Sequence, residues 1–120
     1  MKHLLLVAHG SRRPESNAEI AALATRLQDV AGASYAGISH AFLELAEPSI
    51  PAAIDDCINA GSNEVVILPY FLAAGRHVIE DIPEIIAAKQ SEYPQVCLRM
   101  TGHFGTADEL PGLLLALAGR

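Results

Sequence analysis

No tryptophan occurs in this 120-residue sequence, and phenylalanine and tyrosine occur only three times each. So few rings exclude an aromatic cage or a stacking platform for bases. Basic residues are scarce too: eight Lys and Arg stand against 14 Asp and Glu, a formal charge of -6. A nucleic-acid binder would carry a basic face, so no nucleic-acid partner is expected. No apolar run approaches the roughly 20 residues needed to span a bilayer, and the apolar start, Lys2 to Ala8, is too short for a signal peptide. A cytoplasmic protein with no membrane partner is expected. The two cysteines, Cys57 and Cys97, lack ligand-like spacing. One falls in a helical pattern and the other in a strand pattern, which predicts two buried thiols rather than a disulfide. There is no Walker loop and no G-x-G-x-x-G, so nucleotide binding has no motif behind it.

What is present is apolar residue in quantity, 51% of the chain with a mean hydropathy of +0.28. A chain of this length buries one sizeable core, and residues 1–120 read as a single domain. Leu4-Leu5-Leu6-Val7 is a short apolar run ended by His9-Gly10-Ser11, the pattern of a central strand buried on both faces. Ile20, Leu23, Ala24, Leu27, Val30 and Ala31 then recur at helical spacing, predicting a helix from about Pro14 to Val30 with Ser16 and Glu19 as a capping box. A second strand is expected over Ser34 to Glu44. Glu47-Pro48 is expected to open a helix whose inner face is Ile50, Ala53, Ile54, Cys57 and Ile58. Glu64 to Leu68 reads as the third strand, followed by a helix over Ile82 to Ser91 with Pro83 in its first turn. Gln95 to Met100 reads as the fourth strand. A last helix, from about Glu109 to Ala118, is expected to be capped by Thr106 or Asp108.

Strand and helix alternate four times. That pattern predicts an α/β domain of three layers: a four-stranded parallel sheet of flavodoxin-like order 2-1-3-4, with helices on both faces. In such sheets ligands bind outside the carboxyl ends of the strands. The reactive side chains fall there. His9 ends the first strand, Glu44 and Glu47 follow the second, Arg76 and His77 follow the third, and His103 follows the fourth. His3 and His40 lie inside strand patterns and read as structural. Gly75 is expected to let the backbone bend before Arg76 and His77. Ser11 and the amides after it read either as an anion site at a helix start or as a plain helix-entry turn. Two imidazoles with one or two carboxylates suit a divalent transition metal, and their wide separation along the chain means that any such site is assembled by the fold.

Val7-Ala8-His9-Gly10-Ser11-Arg12, Phe42 to Pro51 and Pro69 to Pro83 together resemble the three signatures of the CbiX-type sirohydrochlorin chelatases, small class II chelatases related to the ferrochelatases. The resemblance covers Lys2 to about Gly105, and the single-domain length is similar to that of the short form. It implies a chelatase-like fold and ATP-independent insertion of a divalent metal, Co2+ first and Fe2+ or Ni2+ next, into sirohydrochlorin on the route to cobalamin or sirohaem. The metal would be a substrate, with no permanently bound cofactor. By position, the resemblance implies that His9 is catalytic base and metal ligand and His77 the second metal ligand. It implies that Glu44 assists metal or proton transfer, and that Glu47, Leu72, Ala73, Ala74, Gly75, Arg76 and His77 contact the tetrapyrrole. A homodimer is implied for the short form. Sirohydrochlorin is a polycarboxylate, and Arg12, Arg13 and Arg76 are the cations placed to hold it. Two other functions compete. The same pocket would serve a carrier of metal or tetrapyrrole, and His9-Gly10 with Arg12 and Arg13 has a flavour of phosphohistidine chemistry. The second normally wants Arg directly before the histidine, where Ala8 stands.

Overall fold

The computed structural model describes residues 1–120, and its elements alternate as the sequence predicts. They are β1 (Lys2–Ala8), α1 (Pro14–Ala31), β2 (Gly37–Phe42), α2 (Ile50–Asn59), β3 (Glu64–Pro69), α3 (Ile82–Glu92), β4 (Cys97–Met100) and α4 (Leu110–Ala118). The four strands are parallel in the order β2-β1-β3-β4, with Leu5 opposite Ser39 on one side and Ile67 on the other. β1 is central because it is apolar on both faces: Leu4 through Ala8 are all buried.

One face of the sheet carries the main core. Leu5, Val7, Ala41, Val65 and Ile67 pack there against Ile50, Ile54 and Cys57 of α2 and Ile82 and Ile86 of α3. These are the helix positions that the 3.6-residue pattern selects. The other face is thinner. α1 lies along β2, yet of its apolar stripe only Ala24 is buried and Val30 is 87% exposed. α4 covers nothing: every residue from Pro111 to Arg120 is exposed. The expectation of helices on both faces therefore holds fully for one face and in part for the other. No helix is long and apolar enough to cross a membrane.

Several local expectations shift, each for a definable reason. α1 begins after Arg13 with Pro14 in its first turn and no side-chain cap, so Ser16 and Glu19 lie inside the helix and form no capping box. Ser49, not Glu47, caps α2, its Oγ accepting from the Ala52 amide at 3.3 Å, and Pro51 rather than Pro48 occupies the first turn. A short hydroxyl at the cap reaches a backbone N–H more readily than a long carboxylate does. Neither Thr106 nor Asp108 caps α4. The Thr106 hydroxyl donates instead to the His103 carbonyl, closing a tight turn over Phe104–Thr106. Cys57 is buried, but Cys97, at the start of edge strand β4, is exposed. The edge strand has a solvent side that a central strand lacks.

His3 and His40 are structural, as expected. His3 Nδ1 lies 3.0 Å from Ser62 Oγ, His40 packs edge-on to Phe42, and burial lowers the pKa of both imidazoles.

α2 and α3 are joined by a polar contact over the core. Lys89 Nζ donates to Asp55 Oδ1 at 2.7 Å and the Tyr93 hydroxyl donates to the same oxygen at 3.0 Å. These hydrogen bonds hold the Asp55 carboxyl below the usual carboxylate range. The unfolded state therefore binds more protons than the folded state as the pH falls, and the contribution is present above the ordinary aspartate pKa and lost in acid. Asp55→Ala is expected to cost about 1–3 kcal/mol near neutral pH. Its urea midpoint should also fall less steeply than the wild type's between about pH 5 and pH 3. Parallel midpoint profiles for the two proteins would refute this.

Candidate metal centre

The β1–β2 ladder continues beyond the strands. The Leu43 amide donates to the Ala8 carbonyl at 2.9 Å and the Glu44 amide to the His9 carbonyl at 3.0 Å. His9 and Glu44 are thereby held side by side at the carboxyl edge. Gly10 makes the approach possible. Its φ is +98°, and a Cβ at this position would lie 1.8 Å from the Glu44 carbonyl oxygen, which no side chain tolerates. Past Glu44 the chain turns away through Leu45 in the left-handed region, φ 68°.

His9 Nε2 lies 3.0 Å from Glu44 Oε1, while its Nδ1 lies 3.1 Å from the Gly10 carbonyl oxygen. A carbonyl only accepts, so Nδ1 carries the hydrogen, and Nε2 is the atom turned toward Glu44 and the open edge. On the other side of β1, the Tyr70 amide donates to the Val7 carbonyl at 2.7 Å and starts the third loop. That loop, Phe71 to Arg76, ends in a widened turn, His77–Asp81, in which the Ile82 amide bonds back to the His77 carbonyl. Pro83 explains the widening. A proline there has no N–H to give and its ring crowds the preceding turn, and a π-type turn relieves both.

The widened turn brings His77 over Asp81, and Nδ1 donates to Asp81 Oδ2 at 2.7 Å. A carboxylate behind an imidazole fixes the ring and leaves Nε2 as the ligand atom. The two imidazoles face each other, centroids 5.0 Å apart and planes tilted by 49°. The ligand atoms of His9, Glu44 and His77 all lie within 4.8 Å of one another. Nitrogen and oxygen ligands about 2.1 Å from a four-coordinate ion stand roughly 3.4 Å apart, so a movement on the order of an ångström gathers all three. The side chains of His9 and Glu44 are 44% and 51% exposed, so three ligands would leave open positions facing solvent. Such a site suits loose, reversible binding.

The other sequence-selected residues divide. Glu47 is exposed and is not among the three clustered groups. Leu72, Ala73, Ala74, Gly75 and Arg76 form an exposed stretch leading to His77. Gly75 shows no positive φ, and a Cβ there would meet nothing within 4 Å, so the bend does not require glycine. Arg12 is exposed, Arg13 lies 3.3 Å from Glu15, and Arg76 lies 3.6 Å from Glu80. Two of the amides after Gly10, those of Ser11 and Arg13, are used internally. Ser11 N donates to Asn17 Oδ1, Asn17 Nδ2 donates to the Ser11 carbonyl, and Arg13 N donates to Ser11 Oγ. This leaves a helix-entry turn, not a free anion cradle. His103 heads the Phe104–Thr106 turn, outside the clustered three. Asp81 escaped sequence reading, although its i, i+4 spacing from His77 was a usable signal.

The CbiX family model matches residues 3–119. This chain belongs to the CbiX family. It is 36% identical over 102 residues to the chloroplastic sirohydrochlorin ferrochelatase of Arabidopsis thaliana, covering 85% of this chain and 44% of that one. It is 36% identical over 92 residues to a sirohydrochlorin cobaltochelatase of Methanococcus maripaludis, covering 77% and 62%. This CbiX chain therefore spans less than two thirds of either relative. Among solved structures, SirB from Bacillus subtilis with Fe3+ superposes with a TM-score of 0.84 at 28% identity, over 96% of this chain and 45% of that one. A CbiX protein from Marinobacter aquaeolei VT8 superposes with a TM-score of 0.81 at 26% identity, over 99% and 95%.

In this CbiX chain Asp81 is a positioning residue for His77. Asp81→Ala is expected to weaken Co2+ binding about 10- to 100-fold by calorimetry while leaving the circular dichroism unchanged. Unaltered affinity would mean that His77 is oriented by something else.

Proposed function

We propose that this chain inserts a divalent metal into sirohydrochlorin without ATP, as a homodimer. The observation that carries the reading is the pair of facing imidazoles, His9 and His77, with Glu44 beside them at an open strand edge of a CbiX-family fold. Relatives named as sirohydrochlorin cobaltochelatases and ferrochelatases support the substrate.

The chemistry follows from what insertion requires. The ion must be held while it sheds water and then released to four ring nitrogens, and two pyrrole N–H protons must leave. Neutral imidazole does both jobs, since its lone pair binds the ion and, once the ion has moved on, accepts a proton. His9 and His77 are the proposed metal ligands, and His9 is the proposed base. Glu44, 3.0 Å from His9 Nε2 and half exposed, takes a proton onward to solvent. Arg76 and Arg12 hold peripheral carboxylates, with the Leu72–Gly75 stretch and Glu47 beside the macrocycle. Imidazole and carboxylate accept Co2+, Fe2+ and Ni2+, so metal choice follows supply as much as affinity. Co2+ is the first metal to test.

Apo protein, sirohydrochlorin and Co2+ mixed anaerobically should show the change in visible spectrum faster than a protein-free control. His9→Ala and His77→Ala should each slow it by about 10²-fold or more while remaining folded. A wild-type rate equal to the control, with tetrapyrrole still bound, would replace the enzyme by a carrier. Separately, Arg76→Ala should raise the dissociation constant for sirohydrochlorin. An unchanged constant would remove Arg76 from the anion-holding set.

A further inference from the structure

The third loop is held more sparsely than the metal-binding side chains beside it. His9 and Glu44 stand on ladder hydrogen bonds, and His77 is braced by Asp81. Between the Tyr70 amide, which bonds the Val7 carbonyl, and the Gly75 carbonyl, which accepts from Val78 and Ile79, a single hydrogen bond ties the chain to the rest of the protein. It comes from the fourth loop, where the Gly105 amide donates to the Phe71 carbonyl at 2.9 Å. Leu72, Ala73 and Ala74 make none, and all three are exposed. Packing does not replace the missing bonds. Phe71 reaches the main core, but Tyr70, Phe71, Leu72 and Phe104 leave a cavity of about 160 Å³ between them. A void offers its lining no partner atoms on the far side, so it fixes nothing.

The fourth loop is the firmer of the two. The Thr101 amide donates to the Ile67 carbonyl at 2.9 Å and prolongs the β3–β4 ladder, and the Thr106 amide and hydroxyl both close on the His103 carbonyl. The Phe104 ring then stacks on Tyr70, centroids 5.5 Å apart and planes inclined by 26°. Gly105 faces Leu72 so closely that a Cβ would strike its carbonyl group, and every atom that Cβ would meet is backbone. The φ of Gly105 lies outside the left-handed region, so glycine is required here by space and not by conformation.

We infer that Gly105 is a positioning residue for tetrapyrrole binding: it fixes the Phe71–Ala74 stretch without acting on the metal ligands. The inference rests on the proposed contact of Leu72 to Gly75 with the macrocycle. The carboxyl edge then has two separately anchored halves. Ladder hydrogen bonds and Asp81 set the ligands of the ion, and the fourth loop sets the seat of the ring. Any side chain at position 105 has to push Leu72 away, because backbone cannot swing aside as the end of a side chain does. The loss falls on the ring, since a displacement of about 1 Å at a positioning contact is worth up to about 10²-fold.

Gly105→Ala in the full chain is the test. Its dissociation constant for sirohydrochlorin by absorbance titration, and its KM for that substrate, should rise roughly 10- to 100-fold. Its Co2+ dissociation constant by calorimetry, and its kcat at saturating tetrapyrrole, should stay within about twofold of wild type. A merely destabilised protein behaves otherwise, binding fewer equivalents with unchanged constants. A folded Gly105→Ala with wild-type affinity for sirohydrochlorin would overturn the inference alone, and so would one that loses Co2+ and tetrapyrrole affinity together. If circular dichroism shows that variant unfolded, Phe104→Ala, which removes the stack and adds no atoms, takes its place. It should raise the same dissociation constant, and no rise overturns the inference. A wild type that binds Co2+ but no sirohydrochlorin would overturn the proposed function, and this inference with it.

Discussion

The centre of this molecule depends on the backbone ladder that β1 shares with both neighbours. Because β1 lies between β2 and β3, and because its hydrogen bonds run past the formal strand ends, three loops leave the sheet at adjacent points. His9, Glu44 and the loop to His77 are placed by main-chain geometry, and Asp81 then orients the His77 ring. A ligand set resting on ladder hydrogen bonds is stiff at its base while its tips stay in solvent. That combination suits an ion that must be caught and then given up.

The two imidazoles are oriented by different means. His9 leans on the carbonyl of its own neighbour, Gly10, and His77 on the carboxylate of Asp81 one turn along. Both arrangements place the hydrogen on Nδ1 and turn Nε2 toward the gap. The widened turn behind His77 traces to Pro83, so a backbone incompatibility six residues away sets the direction of the His77 ring. Glycine acts at two positions, Gly10 and Gly105, where a Cβ would collide with the backbone of the adjoining loop. These contacts hold the four carboxyl-edge loops together in pairs, the first against the second and the third against the fourth.

Much of this was legible in the linear chain. The apolar runs marked all four strands, and alternation with helical spacing gave the parallel sense, since a parallel pair needs a crossover; the order 2-1-3-4 was the flavodoxin-like expectation, and the structure has it. The position of His9, Glu44 and His77 just after strands placed them at one edge. Helix beginnings were less legible. Ser16, Glu47 and Thr106 each satisfied a local capping pattern, but prolines at 14, 51 and 111 decided where the helices start. Gly75 looked like a hinge, yet the loop passes through it in an ordinary conformation. Asp81 was overlooked because a carboxylate in the first turn of a helix has an unremarkable reading of its own.

Residue order alone determined the layered α/β architecture, the parallel sense of the strands and the set of chemistry-bearing positions, because hydrophobic period depends on local spacing. Only the tertiary structure decided that His9 meets Glu44 and faces His77, that Asp81 rather than Arg76 supports His77, and that α4 is left without a surface to cover. Those outcomes turn on distances between residues far apart in the chain. Such distances are set by the packing of the sheet and its loops, which no spacing within one segment records.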